Sequence, residues 1–351
     1  MHASRSLPVL AALAVFTALA SASPTAAAAA GELRGCRGRM APESLLPAEA
    51  KFVGLYDMAR ERRYAPKVSS TSAAGPRALL PRELELARVT LIGVAAACEL
   101  DEDFWGEAWV AFTDEDRYLV ALTGDGIGDP DNLRCLFERL DRIPDLLDDQ
   151  GVTVTRDGCG ARLEYDDELS GVAPRDDLLV LGTPELVDRA RAAWNGRDPQ
   201  PPTRLLPPRR AKSYVWGALD VAAALGDDEL AAGLSSSGVR ELGVLSGLRS
   251  VELHARLARR FAIELGGTFA TEADARGAEA VADALMRSPP LFLPGWAREL
   301  IGMLELSRDG ARVSIELPLK RTLAHQLGLL PARDESRALP VFAWLAAGVL
   351  L

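Results

Sequence analysis

The sequence predicts an α+β protein built from two related modules, and three observations predict it. An apolar strand that ends on aspartate and runs into a helix occurs twice, as "FVGLYDMA" from Phe52 to Ala59 and as "VWGALDVA" from Val215 to Ala222. Gly54, Asp57 and Ala59 align with Gly217, Asp220 and Ala222. A strand–turn–strand stretch centred on "RDG" also occurs twice, in "VTVTRDGCGARLEYD" from Val152 and in "LELSRDGARVSIEL" from Leu304. Between these landmarks both halves carry the same order of elements, which is the signature of an internal duplication.

Each element has a local reason. Asp57 and Asp220 stand where a helix starts, and a carboxylate there accepts from the first free helix amides. "DFWGEAWVAFT" and "RYLVALTG" alternate in the first half, and "RSVELHARLA" and "RFAIELGGTFA" in the second. Each pair therefore reads as two strands. The helices "PDNLRCLFERLDRIPDLL" and "TEADARGAEAVADALMR" follow, the second opening on the capping box "TEAD". Asp157-Gly158 and Asp309-Gly310 read as hairpin turns, because such turns need positive φ. Each half is thus strand, helix, two strands, helix, hairpin. That order predicts an antiparallel or mixed sheet with helices on one face, of the ferredoxin-like type. The first half adds a strand and a helix in "DDLLVLGTPELVDRARAAW".

The domain plan follows. Residues 1–22 read as a signal peptide: His2 and Arg5 precede the apolar run "LPVLAALAVFTALA", and small residues follow. Residues 23–44 are a low-complexity linker, 45–194 the first module, 195–210 a Pro-rich linker and 211–330 the second module. Residues 331–351 form a tail that closes on "VFAWLAAGVLL", too short to span a bilayer and expected to dock or anchor. "LRGC" has the outline of a lipoprotein box, but Arg34 stands where a small or apolar residue is preferred, and Cys36 lies well beyond the apolar run. Export without a lipid, to the periplasm or the medium, is expected. With "LLPAEAKFVGLYDM" and the repeated strand–helix–hairpin plan, the chain resembles secreted bacterial envelope proteins of unknown function that carry tandem α+β modules. The resemblance runs from Leu45 to Leu330. It implies an exported, non-catalytic protein and transfers no functional residue.

Composition narrows the partners. The chain has 351 residues and a net charge of −10. Such a balance disfavours nucleic acid and anionic membrane surfaces, which need clustered Lys and Arg. The four cysteines are Cys36, Cys98, Cys135 and Cys159. An even count in an exported chain predicts two disulfides, and four cysteines allow three pairings. Cys135–Cys159 with Cys36–Cys98 is the expected set. No C-x-x-C or His-rich ligand set predicts zinc.

Four stretches raise chemical questions. "TGDGIGDPDN", Thr123 to Asn132, offers Asp125, Asp129 and Asp131 to calcium. Its three carboxylates repel phosphate, and its spacing fails the EF-hand template. The structural reading makes Asp129 the cap of a helix that starts at Pro130, so no cofactor is expected. Strand alternation puts Trp105, Glu107 and Trp109 on one face, and Glu252, His254 and Arg256 on the corresponding face of the second half. Either face packs against another layer or offers a surface to a protein or glycan. His254 lacks a sequence-level catalytic partner set. Asp166, Asp167 and Glu168 are the carboxylates that a secreted hydrolase would use. The leading expectation is an exported, non-enzymatic binding or scaffold protein of the cell envelope, with the hydrolase as the alternative.

Overall fold

A computed structural model of the chain describes residues 40–64, 94–101, 104–114, 117–140, 152–158, 160–165, 169–197, 203–206, 213–225, 245–257, 260–289 and 295–326. The signal peptide, Cys36, Cys159, the Asp166–Glu168 run and the apolar tail lie outside these residues. In the first half the strands are β1 (Phe52–Asp57), β2 (Glu107–Asp114), β3 (Arg117–Thr123), β4 (Thr153–Asp157), β5 (Gly160–Glu164), β6 (Ser170–Arg175) and β7 (Leu178–Gly182). In the second half they are β8 (Ser213–Asp220), β9 (Leu248–Leu257), β10 (Phe261–Phe269), β11 (Glu305–Asp309) and β12 (Arg312–Leu319). The helices are α1 (Met58–Tyr64), α2 (Pro130–Leu140), α3 (Pro184–Trp194), α4 (Val221–Leu225), α5 (Glu272–Arg287), α6 (Gly295–Ile301) and α7 (Arg321–Gln326).

The twelve strands make one sheet in the order β11-β12-β10-β9-β8-β1-β2-β3-β7-β6-β5-β4. The seam between the halves is the antiparallel pair β1–β8, in which Gly54 faces Gly217, Phe52 faces Leu219 and Tyr56 faces Val215. One continuous sheet therefore stands where two separate sheets were expected. The strand order also differs from a ferredoxin-like module, which interleaves parallel strands. Here β1-β2-β3 and β8-β9-β10 are plain antiparallel meanders. The periodicity of a strand reports which face is buried, not which neighbour it takes, so sequence alone left the order open.

The local expectations fare better. Asp57 accepts from the Arg60 amide at 2.8 Å, and Asp220 from the Ala223 amide at 3.0 Å, so both aspartates start helices as expected. Thr271 accepts from the Asp274 amide at 3.1 Å at the start of α5. Gly158 and Gly310 have φ of 61° and 57°, the left-handed geometry that both Asp-Gly turns require. "SGVAPR", with its Gly and Pro, shows no strand pattern, yet it pairs between β5 and β7 as β6.

Two cross-strand rows describe the two faces. Across the seam glycines run Val154, Leu163, Gly171, Leu181, Val120, Val110, Gly54, Gly217, Leu253, Leu265, Ile315 and Leu306. This row is apolar from end to end, and the face adds charge at its two edges, at Arg156 and Arg308. In the first half Leu133, Leu136, Phe137 and Leu140 of α2 pack with its Leu163 and Leu181, and in the second half Ala275 and Ala278 of α5 pack beside Val313. Each fully buried Leu or Phe in such a layer contributes roughly 1.5–3 kcal/mol. The opposite face runs Thr155, Arg162, Val172, Val180, Ala121, Trp109, Leu55, Trp216, His254, Glu264, Glu316 and Glu305. It is apolar only in the middle, where Leu186, Val187, Ala190 and Trp194 of α3 cover it together with Leu45 and Leu46. Arg191 of α3 forms a buried ion pair with Asp157 of the first Asp-Gly hairpin.

A disulfide joins Cys98 to Cys135, with Cα atoms 5.9 Å apart. This corrects both expected pairings, since each used one of these two cysteines. The reason is packing: Val94 shares a core cluster with Leu133, Leu136 and Phe137 of α2, which brings the turn ending at Cys98 onto the helix that carries Cys135. A disulfide fits an oxidising compartment. Among the described residues no helix is long and apolar enough to cross a membrane.

Candidate interaction surface

The face row changes character at one step, from Trp216 on β8 to His254 on β9. Trp216 is 2% exposed in the core beneath α3, and its ring centroid lies 6.4 Å from that of His254. Beyond His254 the face over β9, β10 and β12 carries Glu252, Arg256, Glu264, Arg312, Ser314 and Glu316, all half-buried or at the margin of exposure. Alternation puts them there, since their neighbours Leu253, Ala255, Ile263, Val313 and Leu317 point to the helical side.

These charges are paired in a lattice. Arg312 reaches Glu252 at 2.7 Å and Glu264 at 3.6 Å, and its Nε donates to Ser314 at 3.3 Å. Gly266 leaves room for it: a Cβ there would sit 2.8 Å from an Arg312 guanidinium nitrogen, which would then have to shift. Arg256 bridges Glu316 and Glu264. His254 Nε2 lies 3.4 Å from Glu252, and its Nδ1 3.2 Å from the Ser213 hydroxyl. The neighbouring His254 and Arg312 hold the Glu252 carboxyl below its ordinary range, against the opposing effect of its partial burial.

Ser213, His254 and Glu252 form the hydrogen-bond order of a nucleophile, a base and an acid. The geometry does not serve acyl transfer. Ser213 is 3% exposed, so its hydroxyl is shielded from an incoming carbonyl. The trio is a structural hydrogen-bond chain that anchors the imidazole.

The sequence placed Glu252, His254 and Arg256 on one face, and the structure brings them together. It missed Glu264, Arg312 and Glu316, although the alternation of "FAIELGGTF" and "ARVSIEL" carries the signal. The first-half set is corrected. Trp109 is 2% exposed in the core under α3, while Trp105 precedes β2 and packs edge-on against Phe104 at 4.9 Å, among residues of the helical side. Glu107 is half-buried and accepts from the Trp109 indole at 3.2 Å. These three make no common surface, because α3 turns the face that would have been open into core.

The acidic loop is a helix start. Asp129 Oδ1 accepts from the amides of Asp131 and Asn132 at 2.9 and 3.1 Å, and α2 begins at Pro130. Asp131 pairs with Arg134 at 2.8 Å, and Asp125 is exposed. Among the described residues no group of three His, Cys, Asp or Glu side chains is arranged to hold an ion.

No family model matches the chain, and no curated protein matches it. A solved structure that does match is described as crystal form I of TP0453, with 12% identity over 83% of this chain and 97% of that one. Its TM-score of 0.37 is too low to carry fold or function across.

Proposed function

We propose that this chain is an exported, non-enzymatic binding or scaffold protein of the cell envelope, and that the open face of β9, β10 and β12 is its contact surface. One observation carries the reading. The same sheet face is sealed by α3 in the first half and left as an ordered lattice of Arg256, Arg312, Glu252, Glu264 and Glu316 in the second. Arginines held in place by paired carboxylates lose little freedom on binding, which favours a polar contact on a flat surface. A protein partner suits such a surface better than a glycan, which favours exposed aromatic platforms. The Cys98–Cys135 bond supports export.

The two halves are read as copies of one strand–helix–meander–helix–hairpin unit, joined edge to edge at Gly54 and Gly217. The matching caps at Asp57 and Asp220 and the matching turns at Gly158 and Gly310 support it. In this reading β6, β7 and α3 are additions to the first copy, and they are what close its outer face.

The test places a photo-crosslinking residue at Ser314, with a control at Arg276 on the exposed side of α5. In cells exporting the protein, crosslinks to an envelope protein at Ser314 and none at Arg276 are expected. Equal yields at both positions would remove the assignment.

A further inference from the structure

Beneath α3, on the covered half of the same sheet face, lies a cavity of about 40 Å³ lined by Arg162, Ser170, Val172, Val187, Asp188 and Arg191 among others. Its walls join two chemistries. Val172, Val187 and Pro184 supply apolar surface, and two arginines and a serine supply donors. Arg191 is 4% exposed; one terminal nitrogen pairs with Asp157, while its Nε and Nη1 have no hydrogen-bond partner among the described residues. Buried cationic donors left without acceptors are costly, so such a site favours an occupant that supplies them. Two or three waters would fit the volume, and so would a carboxylate on a one- or two-carbon stem.

We propose that this cavity between α3 and strands β5 and β6 binds a small organic carboxylate, with its oxygens on Arg191, Arg162 and Ser170 and its stem against Val172 and Val187. The apolar walls favour an organic acid over phosphate, which would leave them facing oxygen. Arg162 lines the cavity half-exposed, and its Nε pairs with the exposed Glu164 at 3.0 Å, so a carboxylate in the cavity would share the guanidinium with Glu164. Asp188 opposes the ligand. Burial pushes its carboxyl above the ordinary range, while Arg162 and Arg191 pull it down. Removing that carboxylate charge therefore strengthens anion binding. This site is independent of the open face over β9 to β12.

The experiment is titration of the full exported chain with acetate, using acetamide as the uncharged control of the same shape, followed by calorimetry and thermal unfolding. Saturable acetate binding with a raised Tm, and no response to acetamide, is expected. Asp188→Asn should tighten acetate binding and Arg162→Gln should weaken it, each by about tenfold. If Arg162→Gln fails to fold, the Asp188→Asn comparison decides alone. Equal responses to acetate and acetamide, or weaker acetate binding in Asp188→Asn, would show that the cavity holds only water.

Discussion

Trp216 and His254 are cross-strand neighbours, and the boundary between core and open surface runs between them. On one side α3 covers Trp109, Leu55 and Trp216. On the other, the same row continues as His254, Glu264, Glu316 and Glu305, and among the described residues no helix packs over it. Substitutions on the two sides should therefore behave differently. Trp109→Ala should cost about 3–5 kcal/mol, the range for deleting a buried large aromatic. Arg312→Ala removes a half-exposed ion-pair partner and should cost no more than about 1 kcal/mol. Urea unfolding of both variants tests the contrast.

Glu252 gives the lattice a pH dependence. His254 and Arg312 hold its folded pKa below the reference value of 4.5. A depressed carboxylate contributes stability that is fully present above its unfolded pKa and is lost as pH falls through the folded value. Wild type should thus exceed Glu252→Gln in stability at neutral pH, and the difference should shrink only below about pH 4.5. Denaturant melts of the pair from pH 3 to pH 7 check the sign.

The disulfide makes a covalent prediction. Cys98 and Cys135 are separated by 37 residues, and closing a loop of that size stabilises by roughly 3–4 kcal/mol in the chain-entropy account. Cys98→Ala combined with Cys135→Ala should lower stability by that order. A non-reducing peptide map should show the Cys98 and Cys135 peptides joined.

The Ser213–His254–Glu252 chain makes a chemical one. Because Ser213 is buried, a fluorophosphonate probe should leave the folded protein unlabelled, as read by intact mass. Labelling at Ser213 would show that its hydroxyl is reachable and that the hydrogen-bond chain is not purely structural.

The sequence was informative where chemistry is local. Asp57, Asp220 and Thr271 cap helices because cap preference depends on a single side chain and the next turn. Alternation in "VELHAR" placed Glu252, His254 and Arg256 together because, among the described residues, that strand is packed over on one face only. Alternation failed for Trp105 and Trp109, since β2 is covered on both faces and a two-sided core leaves no polar stripe to read. The cause lies far along the chain, in α3, and no property of residues 104–114 announces it. The seam at Gly54 and Gly217 was visible as a repeated motif, but the pairing of one copy with the other was not, because register across distant strands is a property of the packed sheet. The Cys98–Cys135 link was hidden for the same reason.

The most direct measurement combines the lattice with the crosslink. The double variant Arg256→Gln with Arg312→Gln should remain folded, with a Tm within a few degrees of wild type. It should lose the envelope crosslink formed from Ser314. A crosslink that survives at full yield in the folded double variant would contradict the assignment of this face as the contact surface.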